Sequence, residues 1–157
     1  MSAETVARRY FDALARRDLD EAEACWQPGS ISAVGPVGDL TVPDQWRAYF
    51  EELFAAIPDG RHEVLDVVAG DDRVAVRWRL TGSFAGSPYQ GIRATGHRIV
   101  QEGVDVLTVE DELIRSNYAY WDDAATARQL GLMPPRGSRR ERGLLALFNT
   151  ITRVRRH

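Results

Sequence analysis

The chain is 157 residues long, 44% hydrophobic and 27% charged, with 13 Gly and 7 Pro, the profile of one globular domain rather than a fibrous or disordered chain. A domain of this size buries roughly 70% of its unfolded-state surface, enough for a core without disulfides, and the lone Cys25 excludes an internal disulfide framework. The net charge of −3 hides an asymmetry, because residues 136–157 carry seven Arg and one Glu, which leaves −9 on residues 1–135; all 20 basic residues are Arg, so no lysine is present for Schiff-base chemistry.

No stretch approaches the roughly 18 to 20 apolar residues that cross a bilayer, and no charged segment followed by an apolar one opens the sequence. These features point to a cytoplasmic protein that neither spans nor rides on a membrane.

Val6, Tyr10, Phe11 and Leu14 recur at helical spacing and predict a helix over about 3–17. Asp18 and Glu21 have the shape of a capping box that opens a second helix over about 19–26, with Leu19, Ala22 and Trp26 on one stripe. Pro28-Gly29 interrupts the pattern, Ile31 to Val34 reads as a short strand, and Gly35-Pro36-Val37-Gly38 reads as a turn. Pro43 fits a first helical position, and Trp46, Tyr49, Phe50, Leu53, Phe54 and Ile57 form an amphipathic stripe that Pro58-Asp59-Gly60 ends.

From Arg61 the period becomes two, with strands at Val64 to Val68, Val74 to Leu80, Ile99 to Val109 and Leu113 to Trp121. Helices first and strands afterwards is the α+β pattern, here an antiparallel meander with the helices on one face of a curved sheet. A three-residue turn at 110–112 would pair Val109 with Leu113 and Asp105 with Asn117, placing Gln101, Asp105, Asn117, Ala119 and Trp121 on one face; a two-residue turn would break that pairing. Asp122 caps a short helix ending near Leu130-Gly131, and Pro134 to Gly137 makes a stiff connector. The chain thus divides into a domain at 1–135 and a C-terminal helix at 136–157, opened by Ser138 and Glu141.

That last helix carries Leu144, Leu147, Phe148, Ile151 and Val154 on one stripe, with Arg139, Arg140, Arg142, Arg153, Arg155 and Arg156 at its two ends. Its body from Gly143 to Thr152 has no charge, unlike a helix that tracks nucleic acid or a membrane surface, so docking onto its own domain or a dimer partner is expected. His62, His97 and His157 have no metal-ligand spacing, and the chain lacks a nucleophile elbow, a Walker loop and a dinucleotide-binding fingerprint.

Arg9-Tyr10-Phe11 leading to Arg17-Asp18-Leu19-Asp20, then Val74 to Gly82, Gly103 to Glu110 and Asn117 to Asp122, in this order and spacing, resemble the nuclear-transport-factor-2-like superfamily over about residues 4–132. Its small-molecule members include the SnoaL-like polyketide cyclases and the ketosteroid isomerases. The resemblance implies a cone-shaped sheet wrapped around the N-terminal helices, with an interior pocket for a flat apolar ligand and no cofactor.

Carried over by motif from the isomerases, the two hydrogen-bond donors to an enolate oxygen fall on Tyr10 and Asp105, and a pocket-wall Trp falls on Trp121. Two departures stand out. Gly35 occupies the position of the isomerase base, and Ser83-Phe84 and Ala119 occupy the positions of the His and Asp of the cyclases. The expected site is therefore Asp105 as general acid/base with Tyr10 and Asn117 as polarising donors, walled by Trp121, Trp78, Trp46, Phe50, Gln101 and Ala119. The alternative is a non-catalytic member in which the pocket binds a ligand or the protein acts through dimerisation. A homodimer is expected in either case, closing the convex face of the sheet.

Overall fold

The computed structural model describes residues 1–155; Arg156 and His157, which include one arginine of the basic C-terminal end, lie outside the described residues. Helix α1 (Ala3–Ala15) starts where Ser2 Oγ accepts the Thr5 amide and buries Val6, Ala7, Tyr10, Phe11 and Leu14. The chain leaves α1 through Arg17 in a left-handed conformation, and the Arg17 guanidinium donates to the carbonyls of Phe54, Ile57 and Gly60. One side chain therefore caps the end of helix α3 (Asp44–Ala56) and fixes it beside α1.

Asp18 caps α2 (Leu19–Ala24) as its spacing suggests. The helix is shorter than expected, because Trp26 already belongs to strand β1 (Trp26–Val34) and pairs with Ile114. Gly29, with positive φ, donates to the Val42 carbonyl within a bulge between Trp26 and Ile31, which is why Pro28-Gly29 read as an interruption. A single 3₁₀ turn leads to β2 (Gly38–Thr41), a strand that its glycine concealed.

The meander follows as β3 (Arg61–Ala69), β4 (Arg73–Ser83), β5 (Arg98–Glu110) and β6 (Leu113–Trp121), in a curved, unclosed sheet of order β2-β1-β6-β5-β4-β3. The meander β3 to β6 is antiparallel as expected, β1 and β2 pair antiparallel, and β1 joins β6 in parallel, which the sequence pattern did not indicate. Helix α1 packs into the concave side against β3 to β6, and Val74, Val76, Trp78, Leu107 and Ile114 share one buried core with it and with Trp46 of α3. The α+β cone expected from the sequence is the observed fold.

The β5–β6 hairpin differs from the expected register. Its turn has two residues, Asp111 and Glu112, both with positive φ, and a bulge between Thr108 and Val109 shifts the ladder. Asp105 then pairs with Ala119 and Asn117 with Leu107. The two deviations together preserve the face, so Asp105 and Asn117 meet diagonally instead of directly.

The connection from β4 to β5 folds over the end of α3, where Gly86 and Ser87 donate to Ala56 and Ala55. A Cβ on Gly86 would lie 1.9 Å from the Ala55 carbonyl oxygen, so only glycine permits this approach. Helix α4 (Asp123–Gln129) lies across β5, with Gln129 bonding both the amide and the carbonyl of Val100.

Helix α5 (Arg139–Arg155) is tied back by an ion pair between Glu141 and Arg128. Its apolar stripe faces solvent in the single chain, with Leu147 58% and Phe148 65% exposed. Among the described residues no helix is long and apolar enough to cross a membrane, and no group of His, Cys, Asp or Glu is arranged to hold a metal ion.

Candidate functional site

The inward residues of β5 run Ile99, Gln101, Gly103, Asp105 and Leu107, which puts a carboxyl in the middle of the concave face. Gly103 pairs with Trp78 on β4, and a Cβ there would lie 2.3 Å from Trp78 Cζ2. Without that atom the indole lies flat across β5, and Trp78 Nε1 donates to Asp105 Oδ1 at 2.7 Å. From the other side Asn117 Nδ2 donates to Asp105 Oδ2 at 2.7 Å and, more weakly, to Ser32 Oγ at 3.3 Å.

Asp105 is 6% exposed. Burial raises its pKa to about 6, against the pull of the Trp78 and Asn117 donors, which favour the carboxylate. The group is therefore ionised at neutral pH yet close to its titration point. The Asn117 amide is oriented by the carboxylate, and its Oδ1 is left buried without a partner among the described residues.

Two adjoining chambers share the walls Tyr49, Leu53, Leu80, Gln101 and Trp121. The outer one, about 320 Å³, is framed by Phe84, Tyr89 and Ile92 of the β4–β5 connection, by Thr126 and Ala127 of α4 and by Leu130 just beyond it. The inner one, about 60 Å³, is closed by Tyr10, His62, Trp78, Asp105, Asn117 and Ala119, with Phe50 along its side. The outer volume suits a small flat ligand and the inner one an oxygen-bearing substituent or a few waters.

The structure thus brings Tyr10, Asp105, Asn117, Trp121, Trp78, Phe50, Gln101 and Ala119 to one cavity. Trp46 does not line it: wholly buried behind Tyr10, it donates from Nε1 to the Tyr10 hydroxyl at 3.1 Å. Burial lifts the Tyr10 phenol above its ordinary range, with Asp105 adding to the effect, so Tyr10 stays protonated and able to donate. Asn117 is not a free donor, because its amide hydrogens are engaged by Asp105 and Ser32, and its place is to hold the carboxylate.

The empty acid positions also have a structural reading. A Cβ at Gly35 would lie 3.4 to 3.6 Å from the Trp121 ring, so the indole occupies the space in front of it. Ala119 stands opposite Asp105 in the ladder, and its small side chain leaves the inner chamber open.

His62 was not singled out by the sequence. It is the second residue of β3, pairs with Leu80 and faces inward, stacked on Phe11 at 5.5 Å and tilted against Trp78 at 5.3 Å. Burial lowers its pKa to about 4, and its Nδ1 has no partner among the described residues. The signal available was its parity with Val64, two residues on, at the start of a strand placed three residues too late.

The sequence model of the SnoaL-like polyketide cyclases matches residues 4–130. The chain belongs to the SnoaL-like polyketide cyclase family. No curated protein matches this SnoaL-like chain in sequence. Among solved structures it is similar to AclR of Streptomyces galilaeus, a proposed hydroxylase, at 21% identity and a TM-score of 0.74 over 99% of this chain and 97% of that one. A SnoaL-like polyketide cyclase candidate from Jannaschia sp. CCS1 is 22% identical, with a TM-score of 0.75 over 84% and 93% of the two chains. IdmH of Streptomyces antibioticus, also a proposed polyketide cyclase, is 18% identical, with a TM-score of 0.72 over 83% and 99%. These identities establish a shared fold, and the coverage of AclR extends the likeness through the C-terminal helix.

Proposed function

We propose that this SnoaL-like protein takes a flat, apolar carbonyl compound into its two-chamber cavity and moves a proton on it with Asp105. The supporting observation is a carboxyl at the closed end of an apolar cavity, raised to about 6 and held by one N–H donor on each oxygen. A base titrating near the working pH combines a large ionised fraction with useful basicity. The Asp105 carboxylate removes a proton from the carbon beside the carbonyl, and the electron pair moves onto the carbonyl oxygen, which Tyr10 stabilises by donating a hydrogen bond. Returning the proton to another carbon gives isomerisation; attack of the enolate on a second carbonyl, with the proton passed to the new alkoxide, gives aldol-type ring closure.

The test uses 2-acetylnaphthalene in D₂O. The protein should speed deuterium uptake at the methyl group beside the carbonyl, and Asp105→Asn should remove at least about a hundredfold of that rate. An unchanged rate in a folded variant would take Asp105 out of the mechanism. The second reading, ligand binding without turnover, is favoured by Trp121 filling the space before Gly35, and it predicts tight probe binding with no exchange.

Association belongs to the same proposal. Ile31, Tyr118 and Tyr120 are exposed together on the convex face, which a second copy would cover, with the α5 stripe, left in solvent by its own domain, docked on the partner subunit. Sedimentation at micromolar concentration should show a homodimer, and truncation after Pro135 should weaken it. Particles of 17.6 kDa alone would contradict this.

A further inference from the structure

We propose that His62 is a second ligand-contacting polar group of the inner chamber, a neutral imidazole that donates a hydrogen bond to the ligand oxygen while Asp105 handles the proton. The inference rests on the proton-transfer reading above and supplies what that reading lacks. Asn117, expected as a donor to the ligand, spends its amide hydrogens on Asp105 and Ser32. Tyr10 then stands as the one donor of the expected set, whereas a developing enolate oxygen is best held by two.

His62 has the position for this work. The β3–β4 register turns it inward beside Leu80, and it walls the same chamber as Asp105. Its ring stacks on Phe11 and lies tilted against Trp78, and Trp78 is the residue that also fixes Asp105, so the two groups share one support. A histidine buried for structure alone normally satisfies its ring nitrogens, because an unpartnered buried polar atom is costly. His62 leaves Nδ1 unpaired among the described residues, and burial alone lowers its affinity for a second proton. A neutral imidazole can donate without surrendering its proton, so the enolate forms with the transferred proton on Asp105 and the imidazole unchanged.

The experiment compares two probes of nearly equal shape, 2-acetylnaphthalene and 2-ethylnaphthalene, which differ in the carbonyl oxygen. Wild-type protein should bind the ketone more tightly, and His62→Phe, which keeps the stack on Phe11, should weaken the ketone about tenfold while leaving the hydrocarbon within about twofold. His62→Gln, which restores an N–H donor, should recover most of the loss. In the wild-type protein the imidazole ¹⁵N resonances should move on adding the ketone and stay in place with the hydrocarbon. Equal losses for both probes, no loss for the ketone, or unmoved resonances would overturn the assignment. A ketone preference that depends on His62 without any deuterium uptake would leave His62 in place and reject the proton-transfer reading. Binding of neither probe by the wild-type protein would reject both.

Discussion

The outer and inner chambers solve opposite problems with adjoining walls. The outer chamber is built from side chains that excluded volume and hydrophobicity alone can place: Phe84, Ile92, Leu80 and Leu130 need only be large and apolar. The inner chamber depends on single atoms. Asp105 is held because Trp78 crosses a glycine, because Asn117 arrives two pairs along a bulged ladder, and because Ala119 opposite leaves room. The difference teaches that ligand shape is set by tolerant packing and any chemistry by a few intolerant contacts.

The largest effect that would break this contrast falls on Gly103. A methyl there meets Trp78 Cζ2 at 2.3 Å and the Tyr120 carbonyl oxygen at 2.7 Å, neither of which can move freely. Gly103→Ala should cost about 3 kcal/mol or more of stability by chemical denaturation. A loss below about 1 kcal/mol would mean that the indole has another seat.

A second test uses pH. Asp105 is raised from 3.8 to about 6, so the folded state holds its proton more tightly than the unfolded chain, and this contribution to stability declines as pH rises from about 4 to 6. His62 is lowered from 6.5 to about 4, so the folded state holds that proton less tightly, and stability rises with pH across about 4 to 6.5. Each amounts to about 3 kcal/mol and the two nearly cancel. Wild-type stability should therefore be nearly flat between pH 4 and 6, whereas Asp105→Asn should expose a rise of about 3 kcal/mol over that range. Equal slopes in both proteins would contradict the opposed titrations.

A smaller effect separates the donors. Trp78→Phe removes the N–H on Oδ1 and should move the Asp105 titration further up, because one force favouring the carboxylate is gone, with about 1 to 3 kcal/mol of stability lost. An unchanged midpoint would show that the bond carries little weight. The smallest effect belongs to the outer wall: Ile92→Ala should weaken 2-acetylnaphthalene by roughly tenfold or less and leave the Asp105 midpoint in place.

The same contrast explains what the sequence disclosed. Residues whose part follows from periodicity were legible: the α1 and α3 stripes, the meander, and the inward parity of Gln101, Asp105 and Trp121. What depended on register was not. The Asp111-Glu112 turn and the bulge beyond it shifted the partner of Asp105 from Asn117 to Ala119. The bulge between Val64 and Asp66 breaks the period-two alternation of β3, so a strand read from Val64 onward left His62 outside it. The Trp78–Asp105 bond needs the flat passage over Gly103, a fact of two paired strands that neither strand shows alone. Trp46 shared the aromatic character of the pocket walls and differed in depth, which helical spacing does not report.

The most direct measurement is the titration of the Asp105 carboxyl itself, followed by its ¹³C resonance in the intact protein and assigned by its absence in Asp105→Asn. A step near pH 6, well above an ordinary aspartate, is the predicted result. A midpoint at or below about 4 would identify a carboxylate fixed by its two donors for structure alone, and would contradict a proton-transfer group at the end of the cavity.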